Sequence, residues 1–298
     1  MSQDKKENYD LSSPTGGQGA FPSARAGAFA FVLHLADNAL ILGQRNAEWC
    51  GHGPVLEQDI AITNISLDLI GQARNFYQYA AILYNDFNEE GKRETDYLLP
   101  RLWKTYDREL QEDDLAFLRD EHQYLNLLIT ELPKGDWAKT ILRQFFFSTF
   151  QFYQYQHLQK SLDEQLAAIA EKSLKETSYH LRWSSEWVIR LGDGTEESNA
   201  RMNNALDELW MFTGELFQKA DFEWGDYETD VSNLKEGWNK KVEEVFDEAT
   251  IPSPSYDGKG QGVGWFQSGG KEGRHTEHLG YLLTEMQYLQ RVYPNATW

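Results

Sequence analysis

The stretch ITNISLDLIGQARNFYQYAAIL, residues 62–83, decides the fold. Its apolar residues Ile62, Ile65, Leu69, Ala73, Phe76, Ala80 and Leu83 recur at steps of three and four, the signature of a helix that buries one stripe. Pro54 can open this helix, and the stripe carries it to about Asn85. Upstream, Phe29, Val32, Leu33, Ala36, Ala39 and Leu40 predict a second long helix over about Arg25 to Trp49. The break Cys50-Gly51-His52-Gly53-Pro54 separates the two, so they form a hairpin.

Downstream the same reading predicts shorter helices over Asp96–Tyr106 and Asp114–Glu131, the latter with Leu115, Leu118, His122, Leu125 and Ile129 on one side. Pro133-Lys134-Gly135 ends it. Asp136 is positioned to N-cap a third long helix to about Lys160, and Leu162–Leu191 is a fourth, closed by Gly192-Asp193-Gly194. Further helices are expected over Glu196–Lys219, Asn233–Glu248 and Thr276–Arg291, with a Gly-rich loop over Pro252–Gly273. No alternating strand pattern persists. The fold class is therefore all-α: a four-helix bundle with additional helices, in one domain over residues 25–298 that follows a flexible tail, residues 1–24, polar and Gly/Ser-rich.

Composition narrows the function classes. The 298 residues are 41% hydrophobic and 25% charged, as in ordinary globular domains. Aromatics reach 14%, which raises the expectation of protein docking. A formal charge of −19 repels nucleic acid and anionic lipid, so neither is an expected partner. Any phosphorylated or CoA-linked substrate would need its cationic contacts mainly from another chain. Cys50 is the single cysteine, which excludes an intrachain disulfide or a multi-cysteine metal site and favours the cytoplasm. No run of about 18 apolar residues suggests a membrane span.

A bundle with a dinuclear iron or manganese centre takes a Glu from each of two helices and Glu-x-x-His from each of the other two. Here the second helix offers Asp68-Leu69-Ile70-Gly71, in which glycine stands where a histidine ligand would. The fourth offers Thr177-Ser178-Tyr179-His180, in which threonine stands where the acid would. Glu48 is the candidate acid of the first helix. The third has no carboxylate mid-helix among Phe145, Phe146, Phe147, Ser148, Thr149 and Phe150. This remnant falls short of a two-metal site, and Glu48, Asp68 and His180 are expected instead to form a hydrogen-bonded polar core, with Arg45, Arg74 and Arg143 as the nearest cations. Gly71 is read as permitting close helix approach, and Glu176 as an i,i+4 neighbour of His180. His275-x-x-His278 lacks metalloprotease spacing. The preceding Gly269-Gly270-Lys271-Glu272-Gly273 could present backbone N–H groups to an anion, but a docking surface or a folded loop is the expectation for this segment. No catalytic residue and no metal ligand is assigned.

The segments Glu48-Trp49-Cys50-Gly51-His52-Gly53-Pro54, Asp68-Leu69-Ile70-Gly71-Gln72-Ala73-Arg74, Lys175-Glu176 through Arg182, Arg190-Leu191-Gly192-Asp193-Gly194-Thr195 and Gly269-Gly270 through Arg291 together resemble the C-subunit (PaaC) family of bacterial phenylacetyl-CoA epoxidases, over about residues 25–298. The resemblance implies a ferritin-like, non-catalytic structural subunit with no cofactor of its own. Its implied partner is a homologous catalytic A subunit that holds the di-iron centre and the CoA ester. Self-association within a hetero-oligomer is a further expectation. The whole complex would form the ring-1,2-epoxide from phenylacetyl-CoA and dioxygen, in aerobic phenylacetate degradation. Two alternatives stand beside this: a ferritin-like di-iron oxygenase or oxidase with an unusual ligand set, and an autonomous small-molecule-binding bundle.

Overall fold

Two antiparallel hairpins of long helices build the core of the computed structural model, which describes residues 23–223, 231–253, 266–294 and 296. Residues 1–22 of the expected tail, and residues 254–265 of the expected loop, lie outside the described residues. The first hairpin is α1 (Ala24–Ala47) against α2 (Leu56–Asn85). Ser23 caps α1 by accepting the backbone N–H of Ala26. In the intervening turn Gly51 adopts a positive φ of 78°. The Asp59 carboxylate closes the turn by accepting the N–H groups of Gly51 at 3.2 Å and Gly53 at 2.9 Å.

Three short helices and three 3-10 turns lead to the second hairpin. The helices are α3 (Glu89–Thr95), α4 (Glu112–Phe117) and α5 (Leu128–Glu131). The second hairpin is α6 (Trp137–Leu158) against α7 (Glu164–Gly192), N-capped by Asp136 and Asp163. Contacts of α2 with α7 join the hairpins into a bundle. Helices α8 (Glu196–Leu209) and α9 (Val231–Glu248) lie against α6 and α7. The end of α7 can meet α9 because Gly192 has no side chain: a Cβ there would lie 2.3 Å from the Ala249 carbonyl oxygen. Helix α10 (Glu277–Met286) lies beside α5 and is followed by α11 (Tyr288–Val292). The described residues contain no strand. They form the expected all-α, ferritin-like four-helix bundle with additional helices.

Helix α1 departs from the expectation of one buried face, because it is buried almost all round. It is long and apolar enough to cross a membrane by length and composition, yet its most apolar window is wholly enclosed by the protein. A helix apolar on every side is a core helix when other elements surround it. Its polar residues His34, Asp37 and Asn38, at 3% exposure or less, explain a second departure.

The continuous helix expected over Asp114–Glu131 is interrupted between α4 and α5. There the Leu125 N–H donates to Asp37 Oδ2 and the Leu127 N–H to Asn38 Oδ1, both at 2.8 Å. The Leu128 N–H donates to Glu215 Oε2 at 2.7 Å. Buried side chains from elsewhere thus satisfy backbone donors that a helix would have satisfied locally. His122, expected on the inward side, is exposed in consequence. Asp96–Tyr106 likewise holds two 3-10 turns rather than a helix, and Glu196–Lys219 is helical only to Leu209 before two more such turns.

Candidate functional site

Asp68 and His180 are the two sequence-predicted residues that the fold brings together. His180 Nε2 lies 3.0 Å from Asp68 Oδ2, tying α7 to α2. The histidine side chain is sealed at 0% exposure, while that of Asp68 is 38% exposed. His180 Nδ1 is buried without a partner among the described residues, as is the Thr177 hydroxyl one turn earlier. None of the three arginines pairs with Asp68. Arg45 holds Glu48 at 2.6 Å, Arg74 approaches Glu112 at 3.5 Å, and Arg143 meets no carboxylate among the described residues.

Gly71 lies outside this cluster. It is exposed, and a Cβ added to it would meet nothing within 4 Å, so the expected close helix approach does not occur there. Successive residues turn about 100° round a helix. The buried stripe of α2 runs through Ile62, Ile65, Leu69, Gln72, Ala73 and Phe76. Two steps from Leu69, Gly71 faces outward, and one step from it Asp68 occupies the flank. Glu48 is also separate, at the C-cap of α1 with its carboxylate on Arg45.

A polar chain that the sequence reading missed crosses the bundle beside the Asp68–His180 pair. Glu176 Oε2 accepts from Gln72 Nε2 at 2.9 Å, so its contact is across to α2 and not along its own helix to His180. Gln72 Oε1 accepts from the Tyr155 hydroxyl at 3.4 Å, and Gln151 Nε2 donates to that hydroxyl at 3.1 Å. Gln72, Gln151 and Tyr155 are each at 1% exposure or less. Burial pushes the Tyr155 phenol well above its ordinary range, so it stays protonated. The signal available in the sequence was the presence of Gln72 and Gln151 on core-facing helical stripes, where an amide must find partners.

These residues do not fit a dinuclear metal centre. Position 71 has no side chain and points to solvent, position 177 carries a neutral hydroxyl, and Glu48 is held elsewhere. Among the described residues no three His, Cys, Asp or Glu side chains gather as a metal site.

The remaining motifs are explained as internal fastenings. The Gly269-Gly270 backbone does bind an anion, and the anion is Glu215: Oε1 accepts both N–H groups, at 2.9 and 2.8 Å. A Cβ on Gly270 would lie 2.1 Å from the Asn126 carbonyl oxygen. His275 and His278 part company. His275 Nδ1 donates to Glu131 Oε2 at 2.8 Å and Nε2 to the Tyr124 carbonyl at 2.9 Å, whereas His278 offers its carbonyl to Arg45. With acceptors at both nitrogens the His275 ring is an imidazolium. Burial opposes that charge, but the Glu131 hydrogen bond and charge outweigh it and raise the His275 pKa. Nearby, Asp37 and Arg119 form a second sealed ion pair at 0% exposure each, joined by the Tyr77 hydroxyl.

Residues 18–298 match the family described as phenylacetic acid catabolic protein. The chain is also 43% identical over 273 residues to the C subunit of the 1,2-phenylacetyl-CoA epoxidase of Escherichia coli strain K12. That alignment covers 90% of this chain and 98% of the relative.

Proposed function

The chain belongs to the phenylacetic acid catabolic protein family, and we propose that it serves as the structural, non-catalytic C subunit of a 1,2-phenylacetyl-CoA epoxidase. The observation that carries the assignment is the 43% identity over 98% of the Escherichia coli C subunit. The geometry accords with a subunit that leaves the chemistry to its partner. Where a di-iron bundle would place carboxylates and two histidines, this one has a single Asp–His contact, a bare outward glycine and an amide–phenol chain. The partner is a homologous ferritin-like A subunit, which holds the iron and binds the CoA ester. Net charge of −19 suits a chain that leaves the CoA phosphates to that partner. Self-association within the hetero-oligomer and a cytoplasmic location complete the proposal.

The test is coexpression with a homologous ferritin-like chain encoded beside it, followed by size analysis and metal counting on the complex and on each chain alone. The complex should form, turn over phenylacetyl-CoA and carry about two irons per catalytic partner. The isolated chain should hold well below one iron and show no turnover. Near-stoichiometric di-iron in the isolated chain, or a fully active partner without it, would overturn the proposal.

A further inference from the structure

Arg143, in the second turn of α6, is fully buried at 0% exposure. Its NH1 donates to the carbonyls of Leu132 and Pro133. Its Nε and NH2, which form one edge of the guanidinium, have no hydrogen-bond partner among the described residues. That edge is the one that grips carboxylates and other anions in two-pronged fashion.

The charges among the described residues do not supply the missing partner. Arg45 is close by, itself only 8% exposed, and its donors are occupied. NH1 holds Glu48 at 2.6 Å, Nε the Glu131 carbonyl at 2.9 Å and NH2 the His278 carbonyl at 2.8 Å. Glu48 is thus engaged by Arg45, and Glu131 spends its carboxylate on His275, the Thr276 N–H and Asn126. Among the described residues, Glu48 is the one carboxylate whose charge acts on both buried guanidiniums, and it is bonded to Arg45. Burial, followed by the charge of Arg45, pulls the Arg143 guanidinium down to about 9, which still leaves it protonated at neutral pH. A buried charge without a counter-charge is strongly destabilising.

We propose that the free edge of Arg143 binds a small inorganic monoanion of chloride size. The unpaired charge of Arg143 calls for one negative charge, which disfavours sulfate and phosphate dianions. Complete burial of the side chain favours a small ion over a bulkier organic carboxylate. Ordered water on the same N–H groups is the competing arrangement, and it would leave the charge unbalanced.

Thermal unfolding of the full chain should be followed at constant ionic strength while sodium chloride replaces sodium isethionate. A saturable rise of roughly 5 °C in the midpoint is expected for ligand in large excess over its dissociation constant, and Arg143→Met should abolish the response. In crystals of the unaltered chain grown in bromide, an anomalous peak should stand within hydrogen-bond distance of Arg143 Nε and NH2. Equal midpoints in chloride and isethionate overturn the site, as does a halide response that survives Arg143→Met. If Arg143→Met does not fold, the bromide crystal decides alone: no peak at Arg143 overturns the proposal.

Discussion

His180 Nε2 and Asp68 Oδ2 meet at 3.0 Å across α7 and α2, one partner sealed and the other 38% exposed. Water still reaches the carboxylate, so the pair is not wholly desolvated and removing Asp68 costs less than breaking a sealed pair. Asp68→Ala should cost about 1–2 kcal/mol, below the 3–5 kcal/mol of breaking a wholly buried pair. Calorimetry should show a small fall in Tm, with turnover per assembled complex unchanged. Lost epoxidation at normal iron content would instead give Asp68 a chemical role.

Asp37 and Arg119 provide the contrast, since both are at 0% exposure. Asp37→Ala strands a buried guanidinium and unties the Leu125 N–H, so a loss of about 3–5 kcal/mol or more is expected in urea unfolding. Adding Arg119→Met to Asp37→Leu should recover part of it, because two apolar groups leave no uncompensated charge. A double variant as unstable as the sum of the singles would contradict the pairing.

Two glycines should respond oppositely to alanine. Gly71 lies within α2 in open space, so Gly71→Ala should stabilise the isolated chain by roughly 0.5–1 kcal/mol. Gly270→Ala would drive a Cβ to 2.1 Å from the Asn126 carbonyl and should destabilise by about 3 kcal/mol. Destabilisation of the isolated chain by Gly71→Ala would mean that the α2 face is packed after all.

The His275–Glu131 pair sets a pH dependence whose sign follows from the raised His275 pKa. Native His275 keeps its proton above the unfolded value of about 6.5. Its stabilisation is therefore complete below that pH and is lost as pH rises through the higher folded-state pKa. The difference in Tm between the unaltered chain and His275→Gln should be largest near pH 6 and shrink as pH rises. A difference that grows with pH would refute the assignment of an imidazolium.

His34 should act in the opposite sense. Burial, then the charge of Lys271, lowers its pKa to about 4, and a neutral ring donates Nδ1–H to the Leu125 carbonyl at 2.6 Å. As pH falls from about 6.5 to about 4 the unfolded chain gains a proton that the native chain refuses, which removes roughly 3 kcal/mol of stability. His34→Asn should show a flatter stability profile between pH 6.5 and 4. An unchanged acid limb would place that loss in other groups.

The helical hairpins were legible because each depends on local chemistry. Ile62, Ile65, Leu69, Ala73 and Phe76 give α2 its period, and Asp136 caps α6 with its own carboxylate. At the site, the pairing of Asp68 with His180 was among the arrangements that the helical stripes allowed. The chain through Gln72, Tyr155, Gln151 and Glu176 was not foreseen, since an uncharged amide in a helical stripe gives no sign of which distant group it will meet.

By itself, then, the order of residues determined the long helices, the Gly-rich breaks between them and the shortage of metal-ligand chemistry at Gly71 and Thr177, because period, caps and side-chain identity are local properties. Tertiary structure alone decided that α1 is enclosed, that Gly71 faces out, and that residues between α4 and α5 leave the helix. A helical period locates a stripe only to within about one residue's rotation of 100°, and neighbours choose the buried flank. The broken segment is held by Asp37, Asn38 and Glu215, which lie 87 to 89 positions away in the chain from the N–H groups they accept. No local pattern encodes hydrogen bonds of that reach, and they form only when packing has brought α1 and the second 3-10 turn after α8 against the same backbone.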